Sequence, residues 1–174
     1  MISKLLADWI MKHRPSREPD FLIGPEGDPY MRRWWVIPRN KWFKIYLHHM
    51  RHDDDDRAAH DHPWWSMSLC LDGCILEHEM LQEGDKRIPL AVHDEHDRPW
   101  WSNVIIKGMW KWRGSSYIHR LELPYGDAWT LFMTGPRIKS WGFFCPKGFV
   151  HWKEFTDPGD YGKRGRGCGE EDTA

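Results

Sequence analysis

The side chains best suited to chemistry are two histidines separated by one residue. His60 and His62 flank Asp61 at the start of an aromatic run. On a β-strand, residues i and i+2 project from the same face, so the two imidazoles could bind one metal ion at ~2.0–2.1 Å. The alternative is that both are surface histidines beside the acidic stretch at positions 53–56. The spacing alone leaves both interpretations open.

A metal site needs a third protein ligand, and two later histidines compete for that position. Residues 117–123 alternate in polarity, so His119 shares a face with Tyr117 and Leu121. On that face His119 is an inward-pointing polar residue, which needs a partner if it is buried. The rival is His151, which follows a Pro-x-Gly sequence at positions 146–148.

The elements that must position these histidines are mostly short strands. Apolar residues recur at helical spacing near the N-terminus, which predicts a helix over residues ~2–13. The Asp72-Gly73 pair between two apolar runs predicts a two-residue hairpin turn. Many short strands with frequent turns favour an antiparallel barrel or sandwich. The predicted strands cover residues 30–37, 42–51, 64–71, 74–81, 103–106, 110–113, 117–123, 128–134 and 141–145.

This pattern resembles a known family. An H-x-H motif followed by a later strand histidine, in a chain of short strands, is similar to the cupin superfamily. The resemblance implies an all-β, cupin-like double-stranded β-helix, a small antiparallel β-barrel with a metal in its lumen, here with a short N-terminal helix. More narrowly, four segments resemble uncharacterised cupin-like proteins of tailed phages and prophages within residues 30–155. They are RRWWVIPRN (32–40), YLH (46–48), DDDRAAHDHPW (54–64) and TGPR (134–137).

The resemblance also helps to choose between the two candidate third ligands, because both imitate the second cupin motif. A ligand strand in a closed barrel must be followed by enough chain to complete the sheets. Two strand-like runs follow His119, whereas only residues 152–155 precede the tail after His151. We therefore predict that His60, His62 and His119 bind the metal, and that His151 is a packing or rim residue.

The predicted metal centre lacks the carboxylate that is usual in the family. The first cupin motif carries a glutamate four or five residues after its second histidine, and Ser66 and Met67 stand at those positions. Imidazole ligands suit one divalent transition metal: Fe, Zn, Ni or Mn. Three protein ligands would leave a position open to water or a small molecule. Each imidazole should donate its other N–H to an acceptor, for which we expect Asp56 or a backbone carbonyl rather than Asp61.

Three further side chains are candidates for contact with a substrate. Arg113 could bind an anionic group through its guanidinium, or form an ion pair with Glu122 or Asp127. Trp64 could stack on a ligand or fill the core. His48 could face the lumen or be a hydrogen-bonded core histidine.

Composition limits the classes of function. The chain has 174 residues, with 25 basic and 26 acidic side chains, so a nucleic-acid-binding protein is not expected. No apolar run approaches the ~20 residues of a membrane span, and the N-terminal segment resembles an amphipathic helix rather than a signal peptide. We therefore expect a cytoplasmic protein whose four cysteines are reduced thiols. The cupin resemblance also implies a homodimer that covers edge strands.

These observations predict one folded domain with short extensions. Residues 1–19 form the helix and a connector, residues 20–156 the cupin-like barrel, and the glycine-rich residues 157–174 a flexible tail. The predicted function is a metal-binding cupin-like protein, a metal-dependent oxygenase or isomerase acting on a small polar molecule. The alternative is a non-enzymatic small-ligand-binding or structural phage or prophage module, because no general base or nucleophile stands out beside the histidines.

Overall fold

The computed structural model describes residues 1–24, 27–54, 58–82, 84–85, 99–159 and 165–169. Helix α1 spans Ile2–Lys12, as the helical spacing predicts, and a short helix, α2, spans Trp152–Phe155. The strands are β1 Phe21–Ile23, β2 Met31–Trp35, β3 Lys44–Met50, β4 Ala59–His60, β5 Ser66–Asp72, β6 Cys74–Met80, β7 Trp100–Ile106, β8 Trp110–Arg113, β9 His119–Glu122, β10 Ala128–Thr134, β11 Gly142–Cys145 and β12 Gly148–His151.

The strands form two antiparallel sheets. The first has the order β1-β2-β3-β10-β5-β8 and the second the order β12-β11-β4-β9-β6-β7. Some neighbours are consecutive strands, such as β2 and β3, but others are distant in sequence, such as β3 and β10, so the chain passes repeatedly from one sheet to the other. The prediction of an all-β, cupin-like barrel with an N-terminal helix is therefore confirmed.

The turn at Gly73 connects the two sheets rather than two paired strands. Strand β5 pairs with β10 and β8 in the first sheet, whereas β6 pairs with β7 and β9 in the second. Gly73 has a φ of +84°, and a Cβ atom there would lie 2.6 Å from the carbonyl oxygen of Asp127. The predicted Asp72-Gly73 hairpin is thus wrong, and the tight turn instead moves the chain between sheets beside β10.

The space between the sheets is apolar in one part and polar in another. Helix α1 covers the outside of the first sheet, where Ala7 is buried with Trp34 and Leu69. Between the sheets, Met31 and Met50 pack against residues of the second sheet such as Ile105. The buried polar residues of the strands include His48, Ser68, Glu77, Arg113, His119 and Thr130. Buried polar groups need partners, so these residues mark the part of the interior where a site can form.

A disulfide links the C-terminal segment to strand β11, where we expected reduced thiols. Cys168 forms a disulfide with Cys145 on β11, and the backbone amides of Gly165 and Gly167 each donate to the carbonyl of Phe155 at 3.0 Å. Residues 165–169 therefore dock on the barrel. The prediction that all four thiols are reduced is wrong for this pair, because folding brings together cysteines that lie 23 residues apart. Cys70 and Cys74 are free thiols.

One further expectation at the C-terminal end needs correction. The segment after His151, counted as strand-like, is helix α2, and strand β12 lies before it.

Among the residues that the structure describes, no helix has the length and apolarity needed to cross a bilayer.

Candidate metal centre

Strand pairing in the second sheet brings the candidate ligands together. His60 ends β4 and lies directly opposite His119, which begins β9. His62 follows two residues after His60, close to the same two side chains. The centroids of the three imidazole rings are 5.1–5.2 Å apart, and one nitrogen from each ring lies within 4.8 Å of the others. The structure thus places the three predicted ligands in one cluster.

The environment favours neutral imidazoles in the H-x-H motif. Burial lowers the pKa of His60 to about 4. Burial also holds the pKa of His62 well below its usual value, and the positive charges that His60 and His119 would carry lower it further. A neutral ring has a free lone pair, which is the form that binds a metal ion.

Glu77 orients the third imidazole from the side away from the cluster. Its Oε1 lies 2.8 Å from Nδ1 of His119 and accepts from Nε of Arg113 at 2.5 Å. Its Oε2 accepts from the Tyr117 hydroxyl at 3.2 Å and lies 3.2 Å from Nζ of Lys111. An ionised carboxylate can only accept, so Nδ1 of His119 carries the proton and its Nε2 presents a lone pair to the cluster.

The protonation state of Glu77 follows from its contacts. Burial raises the pKa of this carboxyl, but the hydrogen bond with His119 and the charges of Arg113 and Lys111 outweigh burial and hold the pKa well below its usual range. Burial and the charge of Glu77 raise the pKa of Tyr117, so the phenol stays a donor. Glu77 is 0% exposed, so a fully buried negative charge is compensated here by cations and hydrogen bonds.

Two features of the cluster fit a metal ion. Nε2 of His62 and Nε2 of His119 are 3.0 Å apart. Two nitrogens bound to one ion at ~2.0–2.1 Å, at an angle of about 90–110°, lie about 2.9–3.4 Å apart. Among the described residues, the buried Nδ1 of His60 has no hydrogen-bond partner. An unpaired buried nitrogen is unfavourable, and a cation with its own ligands would relieve it.

The cluster forms one wall of a cavity of about 300 Å³ between the two sheets. His60 and His119 line it from the second sheet, and Arg33, His48 and Phe132 line it from the first. Trp64 and Trp141 also contribute to the lining. Both indoles stack on the ring of His62, with centroids 6.4 and 6.2 Å away. The cavity is small and flanked by aromatic side chains, as ligand pockets commonly are.

The other predicted site residues have distinct positions. His48 lines the cavity and also accepts a hydrogen bond from Nε of Arg33 at 2.9 Å, so both interpretations of this residue hold. Trp64 lines the cavity as well. His151 stands apart from the cluster: its Nε2 bonds to the Ser140 hydroxyl at 2.6 Å, and its Nδ1 accepts from the backbone of Lys153.

Two expectations about supporting residues are wrong. Arg113 pairs with neither Glu122 nor Asp127, because the curvature of the barrel turns its side chain inward to Glu77 and to the Ser68 hydroxyl at 2.9 Å. The acceptor for His119 is Glu77 rather than a backbone carbonyl or Asp56, and Asp56 lies outside the described residues.

Sequence reasoning missed two residues of this interior, Glu77 and Arg33. Glu77 alternates with Ile75 along β6 and so shares its inward face, which is a signal of a buried partnered charge. The predicted hairpin at Gly73 would have paired β6 with β5, so it gave no reason to expect Glu77 of β6 beside His119 of β9. Arg33 lies two residues after Met31, so the two side chains point to the same inward face of β2, and this spacing is visible in the sequence.

Comparisons with known proteins identify the fold but no relative with a similar sequence. No protein-family model matches the chain, and no curated protein matches it in sequence. A solved structure of Fe(II)-HppE is similar with a TM-score of 0.50 at 13% identity, over 69% of this chain and 57% of that one. The DMSP lyase DddQ from Ruegeria pomeroyi DSS-3 is similar with a TM-score of 0.46 at 13% identity, over 69% and 54%.

The chain therefore spans a little over half the length of the HppE and DddQ chains, and at this identity the similarity concerns the fold alone. Those proteins are cupins. The chain has the cupin fold.

Proposed function

We propose that the protein is a metal-dependent enzyme acting on a small polar molecule, with one divalent transition metal held by His60, His62 and His119. The observation that carries the proposal is the convergence of three imidazoles, one of them oriented by Glu77, on the wall of a cavity. A cluster of this kind with no ligand-sized space beside it would support only a structural ion.

The set of side chains favours an open site. Structural zinc sites close a tetrahedron with a fourth protein ligand. Among the described residues, the group of converging ligand atoms contains three histidines and no carboxylate or thiolate. The carboxylate of Glu77 faces the far nitrogen of His119. Ser66, at a position where cupins commonly supply a ligand, is fully buried in β5.

The residues around the cluster define what this chain contributes to a reaction. A bound metal would act as a Lewis acid or as an O₂-binding centre. Glu77 keeps the proton of His119 on Nδ1. Trp64 and Trp141 give the cavity part of its apolar lining, and neutral His60 and His62 keep their lone pairs available. We place O₂-dependent oxidation first and isomerisation second. Because the HppE structure is named as an Fe(II) protein, Fe(II) is the first ion to test.

Cobalt substitution tests whether the site is open. The visible spectrum of the Co(II)-loaded protein should change when azide is added, because a free coordination position accepts the anion. His119→Ala should lose the cobalt spectrum, and His151→Ala, which removes a histidine outside the cluster, should retain it. A tetrahedral spectrum that ignores high azide concentrations would mean a closed site, and would favour the non-enzymatic module over the enzyme.

A further inference from the structure

Arg33 is a cationic side chain of the cavity that lacks an anionic partner. It faces the interior from β2, opposite the histidine cluster, which lies on the second sheet. Its Nε donates to Nε2 of His48 at 2.9 Å, and its guanidinium carbon lies 4.7 Å from the ring centroid of Tyr46. Among the described residues, no carboxylate pairs with Arg33 and nothing accepts a hydrogen bond from its Nη1.

The carboxylates near this cavity are held by other partners. Glu77 is paired with Arg113 at 2.5 Å. Asp54 also lines the cavity, but one carboxylate oxygen accepts from the Tyr30 hydroxyl and the other from the backbone amide of Leu121 at 2.7 Å. Neither carboxylate forms an ion pair with Arg33. A guanidinium in a desolvated site gains from a ligand that brings an anionic group into direct contact with it.

Further unpaired cations lie close to Arg33. Lys44, on the neighbouring strand β3, places its Nζ 5.1 Å from the ring centroid of Trp64 in the cavity wall. Burial and the positive charges of Arg39, Arg33 and Arg137 lower the pKa of Lys44. None of these four cations forms an ion pair with a described residue. Arg33 is the one of the four that lines the cavity, and the exposed Arg39 and Arg137 add a solvent-screened positive potential near Lys44, which attracts small anions.

We infer that Arg33 is the anion-binding group of this cavity, and that the ligand is a small organic molecule carrying a carboxylate or phosphoryl group. A guanidinium binds either group through a fork of donors. Nη1 of Arg33 has no acceptor among the described residues, and Nη2 donates only to the weak thioether acceptor Sδ of Met31 at 3.8 Å. The inference rests on the proposed function, since the same molecule would reach from Arg33 on one sheet to the histidine cluster on the other. A neutral substrate would leave the Arg33 charge without a partner.

Anion titrations on matched variants test this inference. The protein is stripped of metal with 1,10-phenanthroline, which is then removed, so that a probe anion cannot bind through an ion. Inorganic phosphate, acetate and its neutral analogue acetamide are titrated at constant ionic strength, with tryptophan fluorescence as the signal. Arg33→Met should raise the Kd for phosphate or acetate at least about tenfold, because it removes a charge-assisted hydrogen-bonding group. Arg32→Met removes the same charge from outside the cavity lining and should change Kd by less than about twofold.

Each result of these titrations either supports the inference about Arg33 or overturns it. Tight binding of phosphate alone, or of acetate alone, identifies the phosphoryl or the carboxylate class and supports the inference. Equal Kd values for the wild type, Arg33→Met and Arg32→Met would overturn it, and so would acetate and acetamide that both bind with the same Kd, or no binding of either anion. If the Arg33→Met variant does not fold, the same titrations are made on Arg33→Gln, which removes the charge but keeps a donor toward His48. Metal analysis of the same preparations separates the two proposals: Arg33-dependent anion binding stands even if no metal binds, and a metal site without it leaves only the proposed function.

Discussion

Replacing Glu77 by Gln removes a buried negative charge while the size of the side chain stays the same. In the wild type this carboxylate compensates Arg113 at 2.5 Å and Lys111 at 3.2 Å, and it holds Nδ1 of His119 at 2.8 Å. In Glu77→Gln the two cations lose their counter-charge, and the amide nitrogen faces donors. The substitution therefore affects both the stability of the barrel and the orientation of a metal ligand.

Both effects have expected magnitudes. Removing one partner of a buried ion pair costs about 3–5 kcal/mol of unfolding free energy. For a domain of this size that corresponds to a fall in Tm of about 6–20 °C, at about 2–4 °C per kcal/mol. Loss of the carboxylate behind a metal-binding histidine weakens metal affinity by about 10–100-fold.

Thermal unfolding and metal titration of Glu77→Gln measure these two quantities. The matched control is Glu122→Gln on β9, whose side chain is 37% exposed and lies 3.2 Å from both Nη2 of Arg120 and Nε2 of His78. The control should lose less than about 1 kcal/mol, because exposed ion pairs contribute little. If Glu77→Gln melts within about two degrees of the wild type and binds metal equally well, the account of this network is refuted.

Two further predictions concern pH and the C-terminal segment. Because the pKa of His60 is about 4 in the folded protein and ~6.5 in the unfolded chain, the stability it contributes is complete above pH ~6.5 and is lost as pH falls toward 4. Metal-free protein should thus lose about 2 kcal/mol more than His60→Asn between pH 7 and pH 5 in denaturant unfolding, and parallel losses would contradict the assignment. Cys168→Ser should lower the unfolding free energy by about 3 kcal/mol, since it opens a loop closed over 23 residues. Excess reductant should bring the wild type to the value of the variant, and an unchanged wild type would show that the disulfide does not stabilise the fold.

Local patterns in the sequence predict the bounds of some strands and miss others. Ala128–Thr134 and Trp110–Arg113 are found with their bounds because β-branched and aromatic residues fill them between turn residues. Strand β4, Ala59–His60, has two residues, and only its pairing with β9 and β11 makes it a strand. The Asp-Gly signal at Gly73 is equally compatible with a hairpin and with a tight corner. Pairing with distant strands decides between them.

The candidate site divides in the same way. The three-histidine cluster follows from alternation along two segments, so local reasoning is enough to suggest it. The partner of His119 depends on which strand lies beside β9, and that strand, β6, is about 40 residues earlier in the chain. Arg33 could be placed on an inward face, but its lack of a counter-charge becomes visible only when all neighbours are known. The charge environment of the site therefore depends on contacts between residues that are far apart in the sequence.

Elemental analysis of protein purified without an affinity tag tests the central claim most directly. The wild type and His151→Ala should each contain one transition-metal ion per chain. His119→Ala should contain none at stoichiometric level, because it removes the ligand that Glu77 orients. A wild type without metal, or a His119→Ala variant that keeps its metal while His151→Ala loses it, would contradict the assignment of the centre to His60, His62 and His119.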